Sequence, residues 1–173
     1  MSNQDTFAFD LLARVADIQR SIEVENPSGT TYRAGFAVSR WWAPIGNDPF
    51  PGFYNRVLRL SSTPNGVPIR KDVYRVTMRL VAGPAFSGYQ GEYEDIGNML
   101  YTATLNRFGR ELKLSSPDDP PNNIPLQFVE SARVLQPDNG FTGKNYGGDP
   151  QSVYICLDIP LDVTANFQVF RNS

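Results

Sequence analysis

Val73-Tyr74-Arg75-Val76-Thr77-Met78-Arg79-Leu80-Val81-Ala82 is the stretch that decides the fold. Tyr74, Val76, Met78, Leu80 and Ala82 fall on one alternating set, and Val73, Arg75, Thr77, Arg79 and Val81 on the other. A period of two predicts a β-strand with one face on a core and the other on water or a partner. Arg75, Thr77 and Arg79 then stand in line about 6.6 Å apart, from a ~3.3 Å rise per residue. They suit a phosphate or an acidic neighbouring subunit, or simply a wet sheet face.

Toward the amino terminus, Thr63-Pro64-Asn65-Gly66 reads as a turn, since Asn and Gly tolerate positive φ. Phe53 to Ser61 reads as a strand, with Tyr54, Arg56, Leu58 and Leu60 on one set and Val57 out of step. The segment from Trp41-Trp42-Ala43-Pro44 to Gly52 is an excursion rich in Pro, Gly and aromatics. Tyr32 to Ser39 is strand-like, with Phe36 and Val38 on one set and a bulge expected at Gly35. From Asp5 to Glu23, Ala8, Leu11, Leu12, Val15, Ile18 and Ile22 recur at spacings of three and four, which predicts an amphipathic helix. Asp5 is the expected N-cap, Asp10, Arg14, Asp17 and Gln19 lie off the stripe, and Asn26-Pro27-Ser28-Gly29 stops the run.

Toward the carboxyl terminus, the loop Gly83 to Gly91 leads into a second predicted helix, Glu92 to Phe108, with Gly109 as its end signal. Tyr93, Ile96, Met99, Leu100, Ala103 and Arg107 line one broad face of it. Ser115 to Pro125 is a polar, proline-rich connection. Ile124 to Leu135 alternates as a strand at Leu126 and Phe128 before changing phase. The glycine-rich Asp138 to Pro150 reads as a flexible loop, or as the tip of a hairpin whose stem is Ala132–Leu135 and Ser152–Asp158. Val153 to Val169 is long β-patterned chain, and Pro160 inside it predicts either a bend or a sheet edge. Strand runs with two amphipathic helices make this an α+β fold: a mostly antiparallel β-sheet, two helices packed on one face, long loop excursions. No repeat or linker divides residues 1–173, so a single domain is expected.

The 173 residues are 40% apolar and 20% charged, with 16 Lys+Arg against 18 Asp+Glu, enough apolar content for a core and too little net charge for a disordered chain. A net charge of −2 excludes a strongly basic nucleic-acid or membrane-surface binder. The opening Met1-Ser2-Asn3-Gln4-Asp5 lacks a cationic and an apolar region, so no secretory signal is expected there. One Cys and no His exclude an intrachain disulfide framework and remove the commonest general base.

The remaining candidates for chemistry each have a plainer reading. Glu92, Glu94 and Asp95 could bind a divalent cation or act as acid and base, but first-turn carboxylates are favoured at any helix start. Asp118 and Asp119 sit between prolines on a solvated connection. Gly140-Phe141-Thr142-Gly143-Lys144-Asn145 lacks the leading Gly and the hydroxyl of a phosphate loop, holding Asp138 and Asn145 there instead. Cys156, opposite in face to Ile155 and Leu157, reads as a small packed residue, with no His to activate it. Trp41 and Trp42 could stack a sugar or a base, but adjacent strand-like positions alternate in face, so one buried and one interfacial ring is the expectation. No nucleophile, base and orienting group come together. The expectation is a protein without catalytic, cofactor-binding or metal-binding residues.

The order of elements resembles that of tail terminator proteins of tailed bacteriophages. The features that carry it are the opening helix (Phe7 to Ile22), β-hairpin material, the strand Tyr74-Arg75-Val76-Thr77-Met78-Arg79-Leu80-Val81, a loop and the helix Tyr93 to Phe108. A polar stretch and the closing strands, Tyr154 to Ile159 and Leu161 to Phe170, complete a pattern that covers most of the chain. It is a pattern of elements and not a residue motif. The resemblance implies a virion structural protein, made in the host cytoplasm and resident in the tail or neck. It would form a homohexameric ring that caps the tail tube, ends its growth and joins it to the head-side neck proteins. Its partners would be its own copies, the tail tube protein and the head–tail connector proteins, with DNA only as cargo through the lumen and no membrane. Rings need heterologous contacts, and Trp, Tyr and Arg are favoured anchors. Trp41 or Trp42, Phe86, Tyr89, Phe141 and Tyr146 are therefore expected contact residues, with Arg75 and Arg79 facing the lumen or bridging subunits. A tail tube or head-completion protein, and a monomeric ligand-binding module, are the competing expectations.

Overall fold

The computed structural model describes residues 6–38, 49–64, 68–85, 90–110, 114, 126–146 and 152–168. Along the chain these form α1 (Phe7–Arg20), β1 (Glu23–Glu25), β2 (Thr31–Arg33), β3 (Phe36–Val38), β4 (Gly52–Pro64) and β5 (Ile69–Pro84), then α2 (Gln90–Arg110), β6 (Val129–Val134), β7 (Thr142–Asn145) and β8 (Val153–Gln168). β1 and β2 make a small antiparallel pair. The other six strands form one sheet in the order β3-β4-β5-β8-β6, with β7 also beside β8. Every pairing in it is antiparallel except β3 with β4. The architecture is α+β.

The alternation of β5 works as its sequence implies. Tyr74, Val76, Met78, Leu80 and Ala82 are all buried, and all but Ala82 join the main core. The register places Met78 beside Ile159 and Val76 beside Leu161, so β8 continues the same apolar rows. Both helices cover this face. α1 contributes Phe7, Leu11, Leu12, Val15, Ala16 and Ile18, and α2 contributes Ile96, Leu100 and Phe108. Phe7 is an anchor, with ring centroids 5.2 Å from both Tyr74 and Phe167.

Several local expectations change. α1 is shorter than Asp5–Glu23, because Glu23 to Glu25 leave the helix to form β1. Asp5 lies outside the described residues, and the Thr6 hydroxyl donates to Asp10 Oδ2 at 3.2 Å rather than accepting from a backbone N–H. Gln19 is not on the wet side. Seven residues after Leu12, it returns to nearly the same helix azimuth, and it is fully buried. Its amide exchanges two hydrogen bonds with Asn55, Gln19 Nε2 donating at 2.8 Å and Asn55 Nδ2 at 2.7 Å. Asn55 Nδ2 also reaches the Val38 carbonyl at 3.1 Å, so one polar knot ties α1, β3 and β4.

Val57 belongs to the core set of β4 with Phe53 and Asn55, whereas Arg56, Leu58 and Leu60 are exposed. The bulge expected at Gly35 is instead the break between β2 and β3, which belong to different sheets. α2 passes Gly109 and ends at Arg110. Leu126 and Phe128 precede β6 rather than lying in it, and Phe128 takes φ +74°, a strained value for an aromatic residue. It is held there by contacts with Phe167 and Phe7.

The expected hairpin stem is also revised. Ala132 to Val134 pair with Leu161 to Val163, not with Ser152–Asp158, and the glycine-rich segment supplies β7, which pairs with Val153 to Cys156. β8 is a continuous strand inside the sheet, neither bent in two at Pro160 nor an edge. β5 runs along one flank for almost its whole length, while β6 and β7 share the other. Pro160 falls in the gap between those two short strands. Its carbonyl accepts from the Leu135 N–H at 2.8 Å, so its ring nitrogen faces that same flank, where no ladder bond is lost.

Candidate interaction surface

The sheet face away from the helices is built from the second set of β5 and its neighbours in register. Tyr54, Arg79 and Asp158 share one row; Arg56, Thr77 and Pro160 the next; Leu58, Arg75, Asp162 and Arg133 a third. Antiparallel pairing points the side chains of each row the same way. Among the described residues no helix lies over these rows.

Each of the two arginines meets a carboxylate directly across β8. Arg75 Nε and Nη2 donate to Asp162 at 2.8 and 3.1 Å, and Arg79 Nε and Nη2 donate to Asp158 at 2.7 and 3.0 Å. Both are two-pronged pairs, which fix orientation as well as charge. The hydrogen bonds to Asp162 raise the affinity of Arg75 for its proton. Burial opposes the charge on Arg79, but its Asp158 partner outweighs that and holds the guanidinium above its ordinary range. Arg79 also donates to the Tyr146 hydroxyl and lies over that ring, 5.8 Å from its centroid.

One end of this face is not wet at all. Tyr54, Val81, Tyr154 and Cys156 are buried there, with Phe36, Val38, Phe50 and Tyr146 packed around them. Phe36 packs tilted against Tyr54 and Phe50 against Tyr154, with ring centroids 5.0 and 5.4 Å apart. Gly52 makes room for Phe36, because a Cβ at that position would collide with its ring. Burial pushes the Cys156 thiol up to about 12 and the Tyr146 hydroxyl up to about 12. Both stay protonated at neutral pH, and a neutral thiol is a poor nucleophile. The sequence carries a trace of this second cluster, in Val81 and Cys156 lying among polar residues on the outward set.

Of the expected contact residues, the structure brings Arg75, Arg79 and Tyr146 together on the open face. Phe141 lies on the other side of the sheet, half-buried against the main core. Its ring fills the slot over Gly97, where a Cβ would come within 2.7 Å of it. Trp41, Trp42, Phe86 and Tyr89 lie outside the described residues, as do Asp118 and Asp119. Glu92, Glu94 and Asp95 stand at the start of α2. Among the described residues no three His, Cys, Asp or Glu side chains group to hold a metal ion, and no helix is long and apolar enough to cross a membrane.

Beside the ion pairs, the chain crossing from β6 to β7 walls a groove of about 360 Å³, lined by Arg75, Thr77, Gln136, Asp138, Lys144 and Asp158 among others. Its two cations balance its two carboxylates, and its lining is more polar than apolar. Compared with known proteins, the chain matches no family model and no curated sequence.

Proposed function

We propose that this protein is a structural component of a tailed-phage virion, a homohexameric ring of the tail terminator kind. In this reading it seats on the finished tail tube, stops its growth and offers a surface to the head-side neck proteins, while DNA passes through the lumen. Tail or neck is its place in the particle. No covalent chemistry is assigned to it.

The observation that carries the reading is the two-sided sheet. One face is closed by two helices, while the other presents paired charges held in a fixed lattice. Rigid, already satisfied polar rows suit repeated contact between preformed surfaces better than they suit turnover of a substrate. Arg75 and Arg79 contribute here as ordered pairs with Asp162 and Asp158, Arg75 being the more exposed cation of the two and the better placed to meet a neighbour. The groove beside Pro160 favours a second reading, a monomeric ligand-binding module. Ligand pockets are usually enclosed and apolar with a few polar groups, and this one has the opposite balance.

Electron microscopy of the purified full chain tests the proposal. Discrete single rings with an open centre are expected. Long tubes would move the assignment to a tail tube protein, and featureless monomers would reject a ring.

A further inference from the structure

Among the described residues four large apolar side chains stand exposed: Phe9 (75%), Leu58 (55%), Leu60 (43%) and Ile69 (41%). Three of them belong to one hairpin. Leu58 and Leu60 lie on its outer strand β4 and Ile69 begins β5, while Phe9 stands apart on α1. β3 pairs with β4 only at Gly52 to Tyr54, so the outer side of Asn55–Pro64 has no strand partner among the described residues. An apolar group on an open edge is unusual unless something covers it.

We propose that this hairpin edge docks head-to-tail on the start of α2 of a second copy, an inference that rests on the ring reading above. Charge decides the occupant. β4 carries Arg56 and Arg59 and no acidic residue, and neither arginine makes an ion pair among the described residues. Two such edges brought together would set basic surfaces against each other, which disfavours a two-fold contact between hairpins. The start of α2 offers the complement. Glu92 and Asp95 are exposed and Glu94 half-buried, and none of the three has a cationic partner among the described residues.

The two patches also lie apart in the way a ring requires. Gly83 packs under Tyr93 of α2, and nine residues of β5 separate Gly83 from Tyr74, the register partner of Arg59, about 30 Å at ~3.3 Å per residue. Unlike patches on distant parts of one molecule make a heterologous contact that propagates from copy to copy, the kind of contact from which rings are built when the rotation closes. The contact is between side chains and not an added strand: β4 slips register against β5 between Arg59 and Ser61, and such an irregularity disfavours a regular strand laid along its outer side.

A charge exchange on the full chain tests this by sedimentation. One variant carries Arg56→Glu and Arg59→Glu; the other carries Glu92→Lys, Glu94→Lys and Asp95→Lys. Each alone is expected to sediment as the 19.3 kDa chain at concentrations where the wild type is fully assembled. An equimolar mixture restores both complementary contacts and is expected to recover the wild-type mass, which also shows that the variants are folded. If the wild type assembles and both variants assemble as well as it does, or if the mixture stays monomeric, the docking inference is overturned while the ring stands. A wild type that is monomeric throughout removes the ring and the docking together.

Discussion

Arg79 and Arg75 stand two residues apart on one strand, with matching partners, yet burial makes them unequal. The Arg79 side chain is 12% exposed and that of Arg75 39%. Replacing Arg79 with Met leaves Asp158 and the Tyr146 hydroxyl without their donor and is expected to lower stability by about 1–3 kcal/mol. Arg75→Met, at a solvent-screened pair, is expected to cost under about 1 kcal/mol. Urea unfolding midpoints of the two variants check the order. Cys156 and Tyr146 give a pH signature. Their folded-state values of about 12 lie above the ordinary 9.0 and 10.0, so the native protein keeps protons that the unfolded chain releases. The associated stability is fully present below about pH 9 and is lost as pH rises toward 12. A loss on the order of 2 kcal/mol by pH 11 is expected from the more deeply buried thiol. Cys156→Ala should flatten that slope in denaturation measured from pH 8 to 11. At the far face, Gln19→Leu strands the Asn55 amide in the core and is expected to cost about 1–3 kcal/mol, while the Gln19→Leu, Asn55→Leu pair should recover part of it.

Among the elements, α1, β5 and α2 are legible because each obeys a single period over ten residues or more, and the core follows from them. Gln19 escapes that reading because a buried amide is satisfied only by a partner thirty-six residues away. Pro160 misleads for a related reason: whether a strand position needs its N–H depends on what lies alongside, and β6 and β7 leave a gap there. The site is less legible than the fold. Arg75 and Arg79 are visible as an outward set, but their carboxylates lie 87 and 79 residues further on. The aromatic cluster around Cys156 draws on β3, β4, β5 and β8, so no local pattern announces it. A Cβ at Gly35 would collide with the backbone carbonyl of Pro49, which cannot swing aside as a side chain can. Gly35→Ala is expected to cost more than Gly97→Ala, where the Phe141 ring can move and helix propensity returns up to about 1 kcal/mol. Thermal unfolding of the two variants compares them.

At the scale of the whole molecule, one chain combines a closed helical face, an open face of paired charges, and an apolar, basic hairpin edge set well away from an acidic helix start. Contacts that depend on those unlike charges weaken as salt shortens their range to a few ångströms. Assembly is therefore expected to retreat to lower mass as ionic strength rises from 0.05 M to about 1 M. The most direct measurement is light scattering on the full chain during size exclusion, across a hundredfold range of loading. A discrete species near six times the 19.3 kDa chain mass is expected, replaced by lighter species only on dilution or in high salt. A constant 19.3 kDa at every concentration would contradict the ring reading.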